Sequence, residues 1–274
     1  MRLRDALLKK LTRKELAHLK AAFDTVGSIA ILEIPPELEK KEKLIAKALL
    51  DLHRNIKTVV KKGGAHEGEL RLRTVEHLAG EKTTTTVHKE SGCELALDIE
   101  KVYFSVRLGT ERLRIAKLIA QDEDVLVMFS GCAPYPCVLS KNSPAKHIVG
   151  VELNEEGHAF AKENITRNKI TNVTLILGDV RKVVPAQKKR FDRVLMPLPK
   201  SAEDFLDVAL CATKTGGFIH FYDFLHEEGI PAAAIEKIDL ACRKRKRPYR
   251  IISWTRCGSN APRQWRICVD VQVL

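Results

Sequence analysis

The sequence predicts an α/β chain: an open, mostly parallel sheet over residues 107–274, preceded by a smaller α+β module over residues 1–106. Three observations predict it. From residue 108 onward, apolar runs of strand length alternate with helical periodicity, which places helices on both faces of a parallel sheet. The first of these runs, Val125-Leu126-Val127-Met128-Phe129, breaks sharply into a glycine turn, Ser130-Gly131-Cys132-Ala133-Pro134. Before residue 107 the runs are shorter and turn residues separate most of them.

In order, residues 4 to 23 carry Leu7, Leu8, Leu11, Leu16, Leu19 and Phe23 at near-helical spacing, followed by Gly27 and a strand Ile29–Ile34. Pro35-Pro36 opens a helix from Glu37 to about Leu52. Strands are predicted over Ile56–Lys61 and, after Gly63-Gly64, around Glu69–Arg73, Thr83–His88 and Cys93–Ile99, with Ser91-Gly92 as the hairpin turn between the last two. A helix from Leu108 leads into Val125–Phe129. After that come a strand Ile148–Glu152, a helix Glu155–Asn168, strands at 173–177 and 191–196, a helix Ala202–Thr213, a strand Phe218–Phe224 and a helix Pro231–Arg245. Two closing strands, Tyr249–Thr255 and Trp265–Val273, are joined by Arg256–Gln264, a connection short enough to make them an antiparallel pair at the sheet edge.

Composition excludes several classes. No apolar stretch approaches the roughly 20 residues of a membrane span, and the charged start Met1-Arg2-Leu3-Arg4-Asp5 lacks the apolar core of a signal peptide. The seven cysteines contain no C-x-x-C pair, so free thiols in a reducing, cytoplasmic setting are expected, with no disulfide framework and no metal site. A formal charge of +12 favours a polyanionic partner. The basic residues gather in Arg2–Lys20, Lys57–Arg73, Arg181–Arg193 and Arg243–Arg247, a spread that suits an extended RNA better than a small anion.

The glycine turn specifies a ligand. Glu152 closes the second strand about 20 residues past Gly131, where an acid holds a ribose diol in nucleotide-binding sheets. The third strand ends in Gly178-Asp179, a second carboxylate at the same edge. A G-x-G-x-x-G pattern is missing, so the loop suits an uncharged adenosine better than a pyrophosphate. Any α/β domain has glycine turns and acids at strand ends; here their order and spacing point to S-adenosylmethionine. The fourth strand runs into Pro197-Leu198-Pro199-Lys200, a rigid lip at the ligand-binding end of the sheet.

Val102-Tyr103-Phe104-Ser105-Val106-Arg107-Leu108-Gly109-Thr110-Glu111-Arg112 resembles the signature of the archaeal and eukaryotic type of tRNA guanine-37 N1-methyltransferases. Gly63–Arg71 is similar to the arginine-bearing segment of that family, and Pro197–Lys200 to its fourth-strand motif. The resemblance implies a Rossmann-like class I methyltransferase domain behind an RNA-binding module, acting as a monomer on the anticodon loop of tRNA. It also implies site roles. Glu111 matches the proposed general base and Arg71 the positive stabiliser. Arg107, Arg112 and Lys200 would hold the target base or its phosphates. Tyr103, Phe129, Gly131, Ala133, Glu152, Asp179, Val180 and Pro197 would surround the cofactor. Three departures stand out: Val106 replaces the usual proline, Val127 stands where many methyltransferases carry an acid, and Pro197 replaces a frequent asparagine. The chain also reads as a two-domain member without the additional N-terminal domain of many archaeal members.

Two other readings compete. One is a wyosine-pathway relative that moves an aminocarboxypropyl or methyl group from the same cofactor. The other is a non-catalytic RNA-binding protein with a degenerate cofactor site. Taken alone, Glu111 reads as a helical charge pair with Arg107 or Arg114, and Arg71 as an exposed strand residue.

Overall fold

Thr12 divides the N-terminal apolar run. Its hydroxyl accepts the Glu15 amide and the Glu15 carboxylate accepts the Thr12 amide at 2.7 Å, a reciprocal cap that starts a new helix. The single helix expected over residues 4–23 is therefore two, α1 (Leu3–Leu7) and α2 (Arg13–His18), and the segment ends in a strand, β1 (Asp24–Val26). The computed structural model describes residues 2–64, 68, 70, 72–198 and 200–274. The chain forms two compact units, residues 1–89 with 94–106, and residues 90–93 with 107–274.

In the first unit, β2 (Ile29–Leu32) pairs antiparallel with β1 and parallel with β3 (Thr58–Lys62). The parallel crossover is α3 (Glu42–Leu52), preceded by a 3-10 turn at Pro36–Lys41 where one continuous helix is expected from sequence. β4 (Val75–Gly80) closes the sheet in the order β1-β2-β3-β4. Leu3, Leu7, Leu11 and Leu16 pack with Leu38, Ile45 and Leu49 into one core. The hairpin β5 (Thr85–Glu90) and β6 (Cys93–Asp98) turns through Ser91 and Gly92, both at positive φ as a two-residue turn of this twist requires. The strand expected around Glu69–Arg73 falls partly outside the described residues.

The second unit opens with a 3-10 turn, Val106–Leu108, and α4 (Gly109–Leu118). Then follow β7 (Asp124–Met128), α5 (Pro134–Asn142), β8 (His147–Glu152), α6 (Glu155–Arg167), β9 (Val173–Leu177), α7 (Val180–Ala186) and β10 (Phe191–Met196). α8 (Leu206–Ala212), β11 (Thr213–His226), α9 (Ala232–Arg245), β12 (Tyr249–Ala261) and β13 (Gln264–Val273) complete it. The sheet runs β12-β13-β11-β10-β7-β8-β9. The strands from β11 to β9 are parallel, and β13 lies antiparallel to both β11 and β12.

Successive side chains of β7 feed opposite cores. Leu126 and Met128 join Val194, Ile219 and Ala234, while Val125 and Val127 join Ile115, Leu139 and Tyr222. A strand buried on both faces reads as an unbroken apolar run, as this one does. The chain enters the sheet at β7, moves outward through β8 and β9, then returns to place β10 on the other side of β7. That reversal puts a ligand crevice at the carboxyl ends of β7 and β10. α5 and α7 add to the sequence reading. The expected loop Arg256–Gln264 is mostly ladder, and only Pro262-Arg263 turns.

Candidate functional site

The loop after β7 is held in an unusual backbone. Phe129 (φ 57°), Gly131 (φ 56°) and Ala133 (φ 63°) are all left-handed. For a residue with a Cβ each such placement costs about 1–2 kcal/mol, so the surroundings must impose it. They do so through hydrogen bonds: the Ser130 amide donates to Val151 O at 2.9 Å, and the buried Asn164 side chain donates to Cys132 O at 2.9 Å. Gly150 lies beneath the loop, where an added Cβ would stand 3.2 Å from Ser130 Cβ.

The Gly131 amide donates to Glu152 Oε2 at 2.5 Å, and the Asn154 amide to Oε1 at 2.8 Å. Burial pushes the Glu152 carboxyl up, and the amides of Asn154, Gly131 and Leu153 work against it. Gly178 N–H donates to Glu152 O at 2.8 Å, which brings the start of the next loop alongside. There Asp179 caps α7 by accepting the Arg181 amide at 2.8 Å, and Val180 is buried. The Phe129 ring meets Phe205 edge-on at 4.9 Å, with the Arg181 guanidinium 3.9 Å above Phe205. The fold thus gathers Phe129, Gly131, Ala133, Glu152, Asp179 and Val180 at one sheet edge, with half-buried Pro197 at the end of adjacent β10. Sequence reasoning missed Ser130, whose buried hydroxyl has no hydrogen-bond partner. An orphaned hydroxyl on the loop after β7 and a carboxylate at the end of β8 are the polar groups an adenosyl ligand would engage.

Glu111 is 4% exposed: the charge pair with Arg114 that the helical spacing suggests is present, but it is buried on the Glu111 side. Arg114 donates to it through Nε at 2.7 Å and Nη2 at 2.8 Å, and the Tyr222 hydroxyl donates to Oε1 at 2.7 Å. Tyr222 in turn receives the Tyr135 hydroxyl at 3.0 Å. Arg114 also binds Asp270, which takes His220 Nδ1 at 2.6 Å and the Ser253 hydroxyl at 2.7 Å. Burial works against both charges, yet His220 and Arg114 hold the Asp270 carboxyl well below the carboxylate range, and Glu111 and Asp270 hold Arg114 protonated. His220, Cys268 and Asp270 lie close enough to share a metal ion. Guanidiniums already occupy that cluster, with Arg193 Nη1 2.8 Å from His220 Nε2 and Arg114 Nη1 2.7 Å from Asp270, so it is an ion-pair network.

The Arg112 guanidinium is buried and donates through Nε at 2.5 Å and Nη2 at 2.7 Å to Glu90, which braces the 90–93 turn. Arg107 and Lys200 are exposed. Tyr103 is half-buried in the first unit, and Arg71 and Pro199 lie outside the described residues. The basic clusters are also less free than their sequence suggests. Arg243 pairs with Asp239 at 2.9 Å, Arg245 with Asp207 at 2.8 Å, and Arg247 donates to Thr213 O. Arg193 is buried on Glu123.

Residues 86–252 match the family model of the TRM5/TYW2 methyltransferase domain, and residues 3–83 match that of the TYW2 N-terminal domain. The chain belongs to the TRM5/TYW2 methyltransferase family. Within it, the chain is 39% identical to the tRNA (guanine(37)-N(1))-methyltransferase Trm5b of Pyrococcus abyssi, over 93% of this chain and 76% of that one. Its structure is similar to that of aTrm5 in complex with tRNALeu, with TM-score 0.86, 33% identity, and 100% and 78% of the two chains covered. It is also similar to Pyrococcus horikoshii TYW2 in complex with MeSAdo, with TM-score 0.83, 26% identity, and 99% and 98% covered. No helix among the described residues is long and apolar enough to cross a membrane.

Proposed function

We infer that the chain is a tRNA (guanine(37)-N(1))-methyltransferase that transfers a methyl group from S-adenosylmethionine to N1 of guanosine 37. The observation that carries this reading is the Val102–Arg112 signature in a chain 39% identical to Trm5b. S-adenosylmethionine supplies a methyl group on a sulfonium. The chain supplies a binding edge and acid–base groups. Glu152 takes the ribose hydroxyls and Asp179 the adenine edge, with Phe129, Val180 and Pro197 as apolar walls and Gly131 and Ala133 beside the methionine and sugar.

Guanine N1 carries a proton and is a poor nucleophile, so the reaction requires a base for that proton and a donor for charge building on O6. Glu111 is the base and Arg71 the donor. Tyr103 lies by the cofactor or target base. Exposed Arg107 and Lys200 anchor the anticodon loop, and the enzyme acts as a cytoplasmic monomer.

The deciding experiment is transfer of labelled methyl to tRNA transcripts that differ only at position 37. Label should enter only the guanosine transcript, with a product mass one methyl higher. Equal labelling of the other transcripts would sink the assignment. The TYW2 N-terminal match over residues 3–83 supports a second reading, aminocarboxypropyl transfer to a wyosine precursor. The mass gained by the product separates the two.

One variant tests the cofactor edge. Glu152→Ala should weaken S-adenosylmethionine and S-adenosylhomocysteine alike by about 1–3 kcal/mol, since both carry the same diol away from the methyl. Unchanged dissociation constants in calorimetry would place the diol elsewhere.

A further inference from the structure

A chain of buried charge runs behind Glu111 through the second unit. Arg114 donates Nε and Nη2 to Glu111, and Nη1 and Nη2 to Asp270 at 2.7 and 3.2 Å. Asp270 accepts His220 Nδ1, whose Nε2 accepts from Arg193. Arg193 ends the chain on Glu123 through Nε at 2.7 Å and Nη2 at 2.9 Å. Burial pushes the His220 imidazole down, so the ring is neutral and passes hydrogen bonds in one direction, from Arg193 through to Asp270.

We infer that Arg114 is a positioning residue for methyl transfer: it aims the Glu111 carboxylate and balances its charge, while Asp270, backed by His220, fixes Arg114. The inference rests on the reading of Glu111 as the base. Charge counting supports it. The chain holds the carboxylates of Glu111, Asp270 and Glu123 against the guanidiniums of Arg114 and Arg193, so it is one negative charge in excess. Uptake of one proton by Glu111 brings the chain to neutrality, and that is the state left when guanine N1 loses its proton to Glu111 while the N1–methyl bond forms and the sulfonium S–methyl bond breaks, its electron pair going to sulfur and S-adenosylhomocysteine leaving. Other groups that face Glu111 are Tyr222 from β11, Cys257 from β12 and Cys268 from β13, with Tyr135 from α5 behind Tyr222. Arg114 donates to both oxygens of this carboxylate. Its side chain is 24% exposed, so substitution there disturbs less packing than at the fully buried members.

The test is single-turnover methyl transfer to tRNA, with S-adenosylmethionine and tRNA affinities measured alongside, in wild type, Arg114→Met, Arg114→Lys and Glu111→Gln. Arg114→Met should slow the chemical step about 10²-fold through misorientation of the carboxylate, with both affinities little changed. Arg114→Lys keeps the charge but cannot span two carboxylates, so it should recover part of that rate. It also serves if Arg114→Met fails to fold. A wild-type rate in the Arg114 variants, with Glu111→Gln slow, would overturn the inference while sparing the base. A wild-type rate in Glu111→Gln would overturn the base reading and this inference together.

Discussion

Glu111→Gln should lower methyl-transfer turnover about 10²- to 10⁴-fold, the range for loss of a general base. The substitution keeps a carbonyl oxygen where Tyr222 and Arg114 donate at 2.7 and 2.8 Å, so the fold around it should persist. What disappears is the ability to hold a proton taken from guanine N1. Cofactor affinity should be nearly unchanged, because Glu152 and the glycine loop approach the sheet edge from β7 and β8, whereas Glu111 sits on α4. Single-turnover kinetics at saturating S-adenosylmethionine provide the check. A near-wild-type rate would remove Glu111 from the chemistry and leave it as an internal brace for Arg114.

The largest stability effect should come from Arg193→Leu. Arg193 is 3% exposed, grips Glu123 through two nitrogens, donates to Leu118 O at 2.7 Å and meets His220 at 2.8 Å. Removing it strands a nearly buried carboxylate, which costs about 3–5 kcal/mol. In a unit of this size that corresponds to a fall in Tm of roughly 6–20 °C. Arg193→Leu combined with Glu123→Leu should recover much of the loss, because an apolar pair of similar volume is often as stable as a buried ion pair. Melting curves followed by circular dichroism distinguish the cases. A fall in Tm below about 2 °C for the single variant would mean that solvent reaches Glu123.

The alternation of apolar runs was enough to read the parallel sheet, because strands such as β7 are buried on both faces and leave no polar gaps. The antiparallel edge pair and the Ser91-Gly92 turn were legible from connection length and turn chemistry. The N-terminal helix break was not read, since Leu7, Leu11 and Leu16 keep one hydrophobic face through a stop set by Thr12 and Glu15. α7 was obscured by β-branched Val183 and Val184 and by Pro185 in its last turn. In the candidate site, the glycine loop and its acids were visible because they recur at fixed distances along the chain. Of the groups around Glu111, Arg114 was visible from its i+3 spacing, whereas Tyr222 and the Asp270 behind Arg114 were not. Arg114 and Asp270 are separated by 156 residues, and no local pattern links a helix near the middle of the chain to its last strand. The ion pair of Arg112 has no local signal for a related reason: its partner Glu90 lies 22 residues upstream in a hairpin.

The placement of the cysteines has a practical consequence. Cys211 is exposed, whereas Cys93, Cys132, Cys137, Cys242, Cys257 and Cys268 are buried. Burial pushes the Cys93 and Cys242 thiols up to about 11 and the Cys132 thiol to about 12, far from the thiolate form that alkylating reagents attack. The native protein therefore offers one fast-reacting sulfur, on α8 in the second unit. A maleimide dye should attach there without any other cysteine being removed, giving a ready-made fluorescent reporter. The remaining thiols become a clock. Under a short pulse of alkylating reagent, each additional adduct counts a molecule whose second unit has opened, and mass spectrometry of the adducts would show which part of that unit opens first.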